Sequence, residues 1–175
     1  MNVLPIKKCL AAAVVGVVFG VATAFGCSCV TIGESLNNQV ANAYNQASVV
    51  FTGKVVALEY QKGISVENHD AFLKSRGQQP DYETQVVKFE IDSWWKTELP
   101  PIFFLATDET KSPDGTGSGS SCDYGFEIGK TYIVYAAGRG RETRNNACSR
   151  TGPLNRAQED LNLLGPGKKP RDGYQ

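Results

Sequence analysis

Cys27 and Cys29 are separated by one serine, and this spacing restricts the fold more than any other feature of the chain. A bond between them would close a small, strained ring that disulfide geometry disfavours. Each therefore has to reach a distant partner. Two candidates follow, Cys122 and Cys148, while the fifth cysteine, Cys9, sits in an N-terminal apolar segment. An even set of four in an exported chain reads as two disulfides. Such bridges would pin the start of the domain to its body, and a loop of about a hundred residues is worth roughly 4–5 kcal/mol in the chain-entropy model. A zinc site is the rival reading of four cysteines. Structural zinc sites come as pairs spaced C-x₂₋₄-C, whereas here one pair has a single-residue spacer and Cys122 and Cys148 lie 26 positions apart.

Export is inferred from residues 1–26. Lys7 and Lys8 form a short basic region, and an apolar run follows from Leu10 to Val21. The run is shorter than the roughly 20 apolar residues that span a bilayer. Removing Lys7 and Lys8 takes the 18 basic residues to 16 against 18 acidic, a net charge of −2. No basic stripe marks a nucleic-acid interface. What remains suits one domain, 27–165, with a polar tail at 166–175 that is expected to be disordered.

Periodicity predicts a short helix over 34–46, with Leu36, Val40, Ala43, Tyr44 and Ala47 on one face. Residues 47–60 are rich in β-branched and aromatic residues, and Gly53 in their midst marks a bulge or bend. A polar connection at 61–81, with one helical turn over 69–75, leads to an alternating strand at 82–96. In that strand Val87, Phe89 and Ile91 face inward, and Val86, Lys88, Glu90 and Asp92 lie on the mostly wet face. Pro100-Pro101 ends it. Further strands are expected at 102–108 and 131–137, separated by a Gly/Ser-rich loop at 109–121. A last helix is expected over 153–165, with Pro153 at its first position, Gly165 as its C-cap and Glu159-Asp160 on its wet face. The order of elements suggests a mainly β fold, a small Greek-key barrel with flanking helices.

The catalytic inventory is thin. His69 is the single histidine, so no Ser/His/Asp set can be built without it, and its polar surroundings predict a solvated side chain. The Gly/Ser loop lacks the G-K-[ST] ending of a phosphate loop. Trp94-Trp95 reads as a core tryptophan beside a rim tryptophan. Composition therefore points away from an enzyme, and no cofactor is expected.

Four stretches carry a family resemblance: CSCV at 27–30, ASVVFTGKVV, SCDYGFEIGKTYIVYA and ACSR. In order and rough spacing they resemble the tissue inhibitors of metalloproteinases. The resemblance covers about residues 27–164, with gaps at the 61–81 connection and the 107–118 loop. It implies an OB-like, netrin-like β-barrel with flanking helices and the pairings Cys27–Cys122 and Cys29–Cys148. It also implies a function. Cleavage after Gly26 would leave Cys27 as the first residue, and its free amine and own carbonyl oxygen would chelate the catalytic zinc of a metalloproteinase. Ser28 would enter the protease's specificity pocket, and Cys29, Val30, Ser120 and Ser121 would complete the contact ridge. The animal inhibitors have more disulfides and a second cysteine-rich domain, which this chain lacks.

The expected protein is thus a monomeric, secreted or periplasmic inhibitor whose partner is a zinc metalloproteinase. Two alternatives use the same residues. One is a netrin-like binding module in which the C-x-C pair is only structural. The other is a lipoprotein anchored to a membrane through Cys27, although Ala24 and Phe25 depart from a typical lipidation site. Cleavage has two candidate positions, after Ala24 or after Gly26, and a start at Phe25 would turn the Cys27 amine into an amide.

Overall fold

The structure is a computed structural model that describes Cys29, residues 33–145 and residues 147–171. The expected signal segment, Cys27, Ser28 and Val30 lie outside the described residues. Helix α1 spans Leu36–Gln46, β1 Val49–Lys62, α2 Glu67–Ser75, β2 Glu83–Lys96 and β3 Ile102–Lys111. They are followed by β4 (Gly117–Ser118), β5 (Thr131–Ala136), β6 (Gly152–Pro153) and α3 (Gln158–Leu164). The six strands form one antiparallel sheet in the order β4-β3-β2-β1-β5-β6, curled into a half-barrel. Among the described residues no helix is long and apolar enough to cross a membrane.

The curl originates in β1. Its pairing with β2 shifts register at three places, between Val50 and Phe51, Thr52 and Gly53, and Val55 and Ala57. Each shift bends and twists the strand. At the middle one, a Cβ on Gly53 would stand 2.9 Å from the Glu90 carbonyl oxygen, so only glycine lets β1 press this closely on β2. The bend predicted at Gly53 is therefore present. Beyond the ladder, Ala106 N–H donates to Thr143 O (3.0 Å), and Arg144 and Ala137 exchange two backbone hydrogen bonds of 2.8 Å. The 143–144 segment thereby links β3 to the residue after β5.

Apolar side chains fill both faces. One cluster gathers Phe51, Val55, Val87, Phe89, Leu105 and Val134, with Phe126 and Tyr132 meeting edge to face at 5.1 Å. Alternation along β1 sends Val50 to the other face, where it joins Ile133, Tyr135 and Ala157 beneath Tyr44 of α1 and Leu161 and Leu164 of α3. The last helix is present as expected, but it starts later than expected. Pro153 pairs with Tyr132 in β6, a 3₁₀ turn follows at Leu154–Arg156, and α3 begins at Gln158. Gly165 ends it with φ +71°.

Three further expectations change. The helical segment in the 61–81 connection is longer than one turn, and the 109–121 loop contributes the end of β3 and the short β4. The expected disordered tail runs against β2 over 166–169: Trp94 and Lys168 exchange two backbone hydrogen bonds of 2.8 Å, and Lys169 meets Asp92 at 2.8 Å. Gly167 lies against Trp95, where a Cβ would come within 2.9 Å of the indole ring. Residues 172–175 lie outside the described residues. Finally, Asp160 is not on a wet face. It is 4 % exposed and receives Arg150 through two contacts, Nη2–Oδ2 at 2.6 Å and Nε–Oδ1 at 2.9 Å.

Candidate functional site

Cys29 is bonded to Cys148, with Cα atoms 5.2 Å apart, across 119 positions of sequence. This is one of the two pairings implied by the family resemblance. Both residues are exposed, so the bridge lies on the surface where the chain enters the body. Ala147, next to Cys148, donates its N–H to the Cys122 carbonyl oxygen at 2.7 Å. The segment carrying Ser120 and Ser121 is thus held beside the segment that anchors Cys29. Of the predicted contact residues, Cys29, Ser120 and Ser121 fall on these linked segments, and the two serines are exposed.

The 120–123 turn is fixed from within. Asp123 N–H donates to Ser120 O, and Cys122 N–H donates to the Ser120 hydroxyl, both at 3.1 Å. Asp123 then ties the turn to the sheet by accepting from the backbone N–H of Asp108 at 2.6 Å and of Tyr124 at 2.9 Å. Burial pushes its carboxyl pKa up, and the neighbouring Asp108 carboxylate adds to the rise. Arg144 braces the same end of the sheet. Its guanidinium donates to the carbonyls of Thr107 and Ser65 and faces Asp108 at 3.3 Å.

Behind the disulfide, Arg150 occupies a left-handed backbone conformation, φ +61°. There its guanidinium reaches Asp160 of α3 and, at 2.9 Å, Gln39 Oε1 of α1. Tyr135 of β5 donates to Asp160 at 2.8 Å, and burial followed by that carboxylate drives the phenol pKa upward. Arg150 and three elements, α1, β5 and α3, are therefore locked together behind Cys148. A cavity of about 340 Å³ separates this network from the disulfide, and Cys29, Gln39, Asn145 and Cys148 are among its walls. Asn145 is buried, and neither atom of its side-chain amide has a hydrogen-bond partner.

Sequence reasoning did not find Asp123, Arg144 or Arg150. Their roles come from long-range contacts that no local period encodes. His69, expected to be solvated, instead lies edge-on to Tyr82 at 4.8 Å with its Nε2 enclosed and without a partner. Both Trp94 and Trp95 are half-buried: Trp94 packs on the larger cluster and Trp95 on the smaller. Among the described residues no group of three or more His, Cys, Asp or Glu is placed to hold a metal ion. In comparison with known proteins, no family model matches the chain, and no curated protein matches it.

Proposed function

We propose that this chain is an exported inhibitor of a zinc metalloproteinase, acting through Cys27. The observation that supports it best is the hydrogen bond between Ala147 and Cys122, which sets the Ser120-Ser121 segment beside the anchorage of Cys29. The reading pairs Cys122 with Cys27, as the family resemblance implies. In this reading the body is an OB-like, netrin-like barrel, and its two disulfides fix the first residues as a preformed wedge. Fixing them in advance lowers the ordering cost of binding.

The chemistry then belongs to the Cys27 backbone. A catalytic zinc keeps one position open for water or substrate, and an α-amine together with its own carbonyl oxygen can take that position. The amine has to be neutral. Free α-amines titrate near about 7.7–8.0, so the metal need shift this one only modestly. Ser28 is the side chain that would enter the specificity pocket.

The test has two arms. Mass analysis of the exported protein is expected to give an unmodified start at Cys27; a start at Phe25 or an acylated Cys27 would overturn the mechanism. Inserting one alanine before Cys27 is expected to abolish inhibition across a panel of zinc metalloproteinases while leaving the melting temperature unchanged.

A further inference from the structure

The flank of α1 turned away from the disulfide forms one wall of a groove of about 630 Å³. Val40 and Tyr44 line it from α1, Trp94 and Trp95 from the end of β2, and Leu163 from α3, while Lys168 stands at the 166–168 strap. This volume lies in the range of pockets that take small organic ligands, about 300–1,000 Å³. Leu163 is 44 % exposed, so apolar surface is open to water at the rim.

The charge around this groove has one sign. No acidic residue lines it. Lys168 holds its ammonium 4.9 Å from the centre of the Trp94 ring and, among the described residues, has no carboxylate partner. Lys96 lies 5.0 Å from the centre of the Tyr44 ring and spends its hydrogen bonds on the carbonyls of Tyr44 and Asn45. The nearby acids are already engaged, Asp92 by Lys169 and Glu98 by Arg171. The Trp94 indole N–H is enclosed without an acceptor.

We propose that the groove binds a small amphipathic carboxylate, its apolar body between the tryptophans and Tyr44 and its anionic head at Lys168. The apolar body supplies the affinity by leaving water, and the head sets orientation and sign. Neither Cys29 nor Cys148 lines this groove, and its occupancy does not depend on protease inhibition.

The chain has two tryptophans, and both line the groove, so intrinsic fluorescence reads this site directly. Sodium laurate, titrated below its micelle concentration, is expected to change the emission saturably. Dodecyltrimethylammonium, with the same chain length and opposite charge, is expected to bind at least about tenfold more weakly. Lys168→Glu should weaken laurate about tenfold while circular dichroism stays unchanged. Leu163→Asp, on the exposed rim, should weaken laurate and leave a protease-inhibition assay unaffected. Equal affinity for the two amphiphiles, or no effect of Lys168→Glu, would overturn the proposal. So would emission that depends on protein concentration alone, which would mean a second copy fills the groove.

Discussion

Gly53 stands where β1 bends across β2, and the Glu90 carbonyl oxygen occupies the space a Cβ would need. Replacing it with alanine must displace backbone, because the blocking atom is not the end of a flexible side chain. Gly53→Ala is expected to cost about 1–3 kcal/mol, read as a lower urea midpoint at constant m-value. At Asp70 the issue is charge. Hydrogen bonds from Ser65 and then from Tyr82 hold its carboxyl below the ordinary carboxylate pKa. The unfolded chain therefore binds this proton more tightly than the folded one. The stabilisation is complete above the unfolded pKa and is lost as pH falls through the depressed folded value. Asp70→Asn should melt earlier than the native protein at neutral pH, and the gap should close on acidification. A gap that stays constant with pH would mean the tether of α2 is not electrostatic.

Among the elements, those legible in the sequence are those whose own period matches their surroundings. Strand β2 alternates as read from Val87 to Asp92, where one face is core and the other largely wet: Phe89 is buried and Glu90 exposed. Val86, read on the wet face, is instead buried against Ile64 and Ala106, because the 61–81 connection and β3 cover it. The start of α3 was misplaced because Pro153 suits a helix N-terminus and a strand edge equally well, and only Tyr132 across the sheet decides between them. Asp160 was misread for the same reason, since its burial depends on Arg150 and Tyr135 arriving from other elements. Of the candidate site, the pairing of Cys29 with Cys148 was legible, while the contacts that hold the 120–123 and 147–148 segments together were not. The link between Cys29 and Cys148 joins the start of the domain to the loop after β5. Replacing both cysteines with alanine should cost up to about 4–5 kcal/mol by chain entropy, measured by chemical denaturation. Under the proposed inhibitor function it should also weaken protease inhibition more than it weakens the fold, because the segment before Cys29 loses its anchor while the sheet keeps its core.

Over the whole molecule, stability is shared between the curled sheet and the layer of helices on it, and the 166–169 strap fastens the two. Ending the chain at Gly165 removes two backbone hydrogen bonds to Trp94 and uncovers the edge of Trp95. The expected cost is about 2 kcal/mol, with tryptophan emission moving to longer wavelength in the folded state. A chain so shortened but equally stable would show that the strap rides on the body without supporting it.

The remaining exposed side of β3 carries its own hazard. Among the described residues, Ile102 to Leu105 pair with β2 alone, and Ile102 and Phe104 are 39 % and 41 % exposed. A short, bare, apolar edge of this kind is a template on which a second molecule could add a strand. Pro100 and Pro101 stand directly before it and offer no backbone N–H to an incoming partner, while the Lys88 ammonium lies 5.8 Å from the centre of the Phe104 ring. The two prolines that read at first as a stop between strands thus also act as a guard against aggregation.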